Sequence, residues 1–123
     1  METQGQDRRE FFRVPFRSSL KYKAYTENPV TATTENISQS GILFQSEKAP
    51  KLSSILWLNL DMRTLKICQE IEARALICNN GVLGRVVRVE EDTDNGTGYD
   101  VGVCFLKKNQ RNTSEVEQLL KTL

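Results

Sequence analysis

The chain has 123 residues, with 17 Lys+Arg against 16 Asp+Glu for a net charge of +1, so it is not a bulk polyanion binder and any anion site must be a local cluster of basic residues. Hydrophobic content of 38% and charged content of 27% are those of an ordinary soluble globule, and the length fits one domain with a real core that needs no disulfide or metal staple. The complete absence of histidine removes Ser-His triads, Cys-His dyads and the commonest zinc ligand sets, and argues against an enzyme.

The N-terminal "METQGQD" is polar. It leads into "DRREFFRVP", where Arg8, Arg9 and Arg13 surround Phe11 and Phe12. Pro15 disfavours a helix through Val14, so this arm is predicted to reach the domain extended. Residues 1–15 are therefore expected to form a flexible arm and residues 16–123 a single folded domain. Two adjacent phenylalanines on a free arm would cost solubility unless they dock. The arm is expected to fold back onto the domain for part of the time.

From Ser19 the dominant period is two. "SLKYKAYT" alternates as a half-buried strand. "VTATTENI" from Val30 is rich in β-branched residues, and "GILFQS" follows from Gly41. "SILWLNLD" from Ser54 places Ile55, Trp57 and Asn59 on one face and Leu56, Leu58 and Leu60 on the other. Trp57 reads as a core or helix-contact residue. "KICQEIEARALIC" from Lys66 reads as one long strand, or two joined by a bulge. Asn80-Gly81 then supplies a tight hairpin turn, because both residues tolerate positive φ. "LGRVVRVEE" is its partner strand, and a second turn at Asn95-Gly96 leads into "YDVGVCFL" from Tyr99. In "NTSEVEQLLKTL", Val116, Leu119, Leu120 and Leu123 have the spacing of an amphipathic helix over about 112–123. Ser114 and Glu117 are in the positions of a capping box. The fold class is therefore mainly β: a small antiparallel barrel of six or seven strands, closed by one C-terminal helix.

Several apparent motifs dissolve on inspection. Cys68, Cys78 and Cys104 are odd in number, form no Cys-x-x-Cys pair and sit in apolar runs, so they read as reduced core thiols. "EEDTDNGTG" has a calcium-loop flavour, but its Gly arrives one residue early and the later bidentate Glu is missing. It reads as a solvated hairpin tip. "GVLGRVVR", with Gly81 and Gly84, lacks the following helix that a phosphate-cradling loop needs. Arg85 and Arg88 fall on opposite faces of an alternating strand, one toward solvent and the other free to border a pocket. With no apolar leader and no membrane-length apolar run, the chain reads as cytoplasmic, and its three Asn-x-Ser/Thr sequons as chance.

The remaining elements belong together. Arg9-x-x-x-Arg13 and, one hairpin strand later, Asn36-x-Ser38-x-x-Gly41 resemble the signature of the PilZ domain family, RxxxR followed by [D/N]xSxxG. Arg8 matches a doubled arginine that many members show. "YDVGVCF" is similar to the family's last strand. The resemblance spans nearly the whole chain and implies a stand-alone domain built as a six-stranded antiparallel barrel with a terminal helix. It also implies a bacterial second-messenger receptor for cyclic di-GMP that passes the signal to an unidentified protein effector. No other cofactor, no metal, no DNA or RNA and no membrane insertion is implied.

The chemistry of the residues suits that ligand. A guanidinium is planar, always charged, forks onto guanine O6/N7 and pairs bidentately with phosphate. Arg8, Arg9 and Arg13 can therefore serve both parts of the ligand. Asn36 can offer a carbonyl to guanine N–H groups, though as Asn it has one acceptor oxygen and no charge. Ser38 can bond a base edge or a phosphate, and Gly41 would keep the barrel surface clear. Arg88 and Gly84 are secondary candidates. The alternative is a PilZ-like adaptor that binds protein with weak or no nucleotide affinity.

Overall fold

The computed structural model describes residues 14–25, 27–61, 67–92 and 98–123. Among the described residues, eight antiparallel strands form one sheet: β1 Val14–Pro15, β2 Ser19–Lys23, β3 Val30–Ile37, β4 Gly41–Ser46, β5 Ile55–Asn59, β6 Ile77–Cys78, β7 Gly81–Glu91 and β8 Tyr99–Phe105. Six of them close on themselves, in the order β2-β3-β4-β8-β7-β5 and back to β2. The sequence expectation of a six-stranded barrel is met. β1 extends the barrel beside β3, and β6 pairs with the start of β7. Val14 and Pro15, assigned above to the arm, are paired residues of the sheet.

Period-two alternation drives one side chain set inward. Leu20, Tyr22, Ile37, Ile42, Phe44, Leu56, Leu58, Val86, Val101 and Val103 fill the interior. Tyr22 stacks obliquely on Phe44, and its hydroxyl shares a buried 2.8 Å hydrogen bond with Ser46 Oγ. Burial pushes the Tyr22 phenol above its usual range, which the Ser46 bond only partly offsets.

A second apolar layer lies outside the barrel. Ile55 and Leu83 point outward from β5 and β7 and meet Val116 and Leu119 of helix α2, Ser114–Leu120. Trp57 packs against this layer and donates from Nε1 to Cys78 O at 3.0 Å. The expected C-terminal helix is present, with its cap one residue earlier than expected. Thr113, not Ser114, is the N-cap, and its hydroxyl accepts from Val116 N at 3.4 Å. Arg85 ties the helix to the barrel by donating to Ser53 O at 2.7 Å and pairing with Glu115 at 3.4 Å.

Two expectations are corrected. The segment read as a long strand is helix α2's predecessor α1, Cys68–Arg74, followed by the two-residue β6. Its apolar residues fit both periods. Ile71, Ala73 and Ala75 alternate, but Ile67, Ile71 and Ala75 also share a helical stripe. The helical set is the one that packs on the core, and Ala73 is exposed. Glu70 in the first turn and Arg74 in the last complement the helix dipole. The hairpin turn also sits one residue earlier than expected. Asn79 (φ 52°) and Asn80 (φ 62°) take the left-handed positions, and Gly81 opens β7. Gly81 is there for packing instead: a Cβ on it would lie 2.2 Å from Trp57 Nε1. The expected Asn95-Gly96 turn lies outside the described residues.

Candidate functional site

Two β-bulges decide which side chains reach the outer surface. Along β3 the inward positions are Val30, Ala32 and Thr34, and strict alternation would send Asn36 inward too. The register shifts between Thr34 and Asn36, so Glu35 is an extra residue and Ile37 takes the next inward place. Asn36 therefore faces out. On β7 the register shifts between Val86 and Arg88, making Val87 the extra residue. Val89 then faces the interior and Arg88 the outside. Arg85 and Arg88 were expected on opposite faces. The Val87 bulge puts both outward, Arg85 toward α2 and Arg88 over the opposite part of the wall.

Strand register then aligns these outward residues. Pro15 pairs with Asn36, Asn36 with Leu43, Leu43 with Gly102, and Gly102 with Arg88. One cross-strand row thus runs from the end of the arm to Arg88. Neighbouring strands are about 4.8 Å apart, so Asn36 and Arg88 are separated by three spacings, at most about 15 Å. A cleft of about 290 Å³ lies along this row, with Val87 and Cys104 on its walls. Gly102 forms its floor. A Cβ there would meet Arg88 Cβ at 3.3 Å and Cδ at 3.9 Å, so the start of the arginine side chain lies against the bare glycine.

The electrostatics of the row are divided. Arg88 is the one cation lining the cleft among the described residues. Its guanidinium pairs with Glu90, two residues along the same strand, at 2.5 Å. That hydrogen bond, with the charge of each partner on the other, raises the Arg88 pKa and lowers that of Glu90. Just beyond the row, Gln45 Nε2 donates to Asp92 at 3.1 Å and to Asp100 at 3.4 Å. Glu35 joins this acidic group. Burial, then a hydrogen bond with Asp100 and the Asp100 charge, push its carboxyl above the usual range, against the pull of Arg17.

The residues singled out in the sequence fare differently. Asn36 and Arg88 line the cleft. Ser38 is buried at 2% exposure and closes the β3–β4 turn. Its N–H donates to Gly41 O at 2.9 Å, and its Oγ contacts Ser40 Oγ at 3.3 Å and accepts from Ser40 N at 3.2 Å. Gly41 does not clear the outer surface. Its missing Cβ would stand 2.4 Å from Val103 O on β8, so the glycine allows β4 and β8 to approach. Gly84 is not brought to the cleft either. It belongs to the inward set of β7, and a Cβ there would meet Val103 Cγ1 at 2.4 Å. Arg8, Arg9 and Arg13, with Phe11 and Phe12, lie outside the described residues. Sequence reasoning missed Pro15, Leu43, Val87 and Gly102 as site residues. The signal was present in the spacing: inward apolar positions jump by three, from Thr34 to Ile37 and from Val86 to Val89, where a bulge intervenes.

A closed six-stranded barrel with a terminal helix, and a cleft on its outer wall that carries Asn36 and Arg88, defines a small antiparallel β-barrel domain. The PilZ domain family model matches residues 7–122, and the chain belongs to that family, whose members are cyclic di-GMP receptors and adaptors. Among solved structures, "Structure of Bacillus subtilis Inhibitor of motility (MotI/DgrA)" is similar in fold, with a TM-score of 0.61 at 13% identity. The match covers 94% of this chain and 49% of that one, so the chain spans about half the length of that structure. No curated protein matches. No helix among the described residues is long and apolar enough to cross a membrane.

Proposed function

We propose that the cleft binds cyclic di-GMP, with the arginine arm closing over it from the Pro15 end. The observation that carries this is the pairing of Pro15 with Asn36. Arg13 stands two residues before Pro15, within about 7 Å of it by chain geometry alone. The arm therefore begins on the row that holds Asn36, the bare floor at Gly102 and Arg88. Arg9 and Arg13 bring the forked donors that phosphates and guanine edges take. Arg8 adds a third. Asn36 supplies an acceptor and donors at the cleft wall.

Ser38 and Gly41 serve this site indirectly. They set the turn and the strand approach that hold Asn36 in place. Closure of the arm over the row exposes a new surface, which a protein partner reads.

Calorimetry with cyclic di-GMP tests the site. Each of Arg9→Ala and Arg13→Ala should weaken binding roughly tenfold to a hundredfold, the worth of one charge-assisted contact. The double variant should show no binding at micromolar ligand. Unchanged affinity in a folded double variant would sink the assignment. Closure has its own test: amide exchange at residues 7–15 should slow with saturating ligand, and identical rates would contradict it.

A further inference from the structure

Arg88 occupies an odd position for a ligand-binding cation. Its side chain starts against the cleft floor at Gly102, yet its guanidinium is engaged by Glu90. Both side chains are on the outer face of β7 and more than half exposed, at 52% and 58%. The pair therefore does not serve to satisfy a buried charge. An exposed ion pair of this kind adds little to stability, so its removal is cheap for the fold. Its effect on the cleft is larger, because Arg88 is the one cation lining it among the described residues.

Three further features favour exchange of partners over a fixed pair. The bulge at Val87 turns Arg88 to the outer face, where its side chain is 52% exposed. Gly102 leaves the strand beside the arginine stem bare. Asp100, paired in register with Glu90, adds negative charge on the far side of the row, as does Glu35. The carboxylates are grouped at one end of the arginine's reach, and the cleft at the other.

We infer that Glu90 is a built-in competitor at this site: its carboxylate holds the Arg88 guanidinium until an anionic ligand in the cleft takes its place. The inference rests on the cyclic di-GMP assignment above and names the residue that tunes it. A phosphodiester oxygen or a guanine O6/N7 edge presents the same acceptor chemistry as the carboxylate and can accept the same fork. Ligand binding thus carries the cost of breaking the Arg88–Glu90 pair. The pair sets a threshold concentration for occupancy without taking part in the complex.

The test is calorimetry with cyclic di-GMP on the full chain and on Glu90→Gln, which keeps shape and removes charge. Glu90→Gln should tighten binding about twofold to fivefold, the upper range expected for releasing an exposed ion pair. Glu91→Gln removes the same charge one residue on and should change affinity less than about twofold, since an exposed charge farther from the ligand is screened. In an Arg88→Ala background the gain from Glu90→Gln should vanish, because the two residues act as one coupled pair. Unchanged or weaker binding by Glu90→Gln overturns the inference alone. So does an equal gain from Glu91→Gln, or a gain that survives Arg88→Ala. Absence of binding by both the parent chain and Glu90→Gln overturns the cyclic di-GMP assignment and the competitor role with it.

Discussion

Two outer faces of the same barrel wall have opposite fates. On β5 and β7 the outward side chains Ile55, Trp57 and Leu83 are apolar, and α2 closes over them with Val116 and Leu119. On β3, β4 and β8 the outward side chains of the central row are Asn36, Leu43 and Gly102, and a cleft lies over them. Both faces come from the same period-two alternation. What separates them is the chemistry of the outward residue and the two bulges that select it. An unbroken alternation would have turned Asn36 into the core, where its amide would need partners.

The largest effects should fall on the covered face. Leu83 and Leu119 are 0% and 1% exposed. Truncating either to Ala should cost about 2–5 kcal/mol in denaturant unfolding, the usual range for a buried leucine. Cyclic di-GMP affinity of the remaining folded protein should stay the same. A large loss of affinity there would break the separation of the faces.

Two glycines give a sharper version of the same contrast. Gly41→Ala places a methyl 2.4 Å from a backbone carbonyl that cannot swing aside. It should destabilise by about 1–3 kcal/mol, as overpacking does. Gly102→Ala meets Arg88 Cβ, which the backbone fixes, at 3.3 Å, and the more mobile Cδ at 3.9 Å. It should destabilise less than Gly41→Ala, by about 1 kcal/mol at the low end of overpacking, because the contact is tight and not a clash, while affinity falls as the cleft floor rises. Equal destabilisation by both would show that Gly102 is a packing residue.

Of similar size is the cap of α2. Thr113→Ala should cost about 1 kcal/mol of stability, the typical worth of an N-cap, with no change in ligand binding. Last comes a pH effect on the open face. Glu35 has its folded pKa raised above 4.5 by burial and by Asp100. Its contribution to stability is complete below pH 4.5 and is lost as pH rises through the folded value. Glu35 is only partly buried, so solvent screens part of this effect. Glu35→Gln should remove this component of the pH dependence in thermal melts. An unchanged profile would show that Glu35 ionises freely.

The barrel and its terminal helix were legible in the sequence because alternation from Ser19 onward and the Val116–Leu119–Leu123 spacing are strong local signals. The α1 segment was not, since Ile71 and Ala75 satisfy both a strand and a helix period and only packing on the core chooses. The turn before β7 slipped by one because Gly81 looked like turn chemistry while its true constraint, Trp57, lies 24 residues away in sequence. Of the site, Asn36 and Arg88 were visible as residue types. Their shared row was not, because it depends on the bulges at Glu35 and Val87. The motif residues Ser38 and Gly41 carry the turn and the strand contact beneath the cleft, a division of labour that spacing alone does not reveal.

The central claim is that one outer row of the barrel, and not the helix-covered face, receives cyclic di-GMP. Amide chemical-shift mapping of the full chain during a cyclic di-GMP titration tests it directly. The expected result is saturable shifts at Asn36, Leu43, Gly102 and Arg88, with Leu83, Val116 and Leu119 unmoved. Shifts concentrated on Leu83, Val116 and Leu119, or no saturable shift along the row, would contradict it.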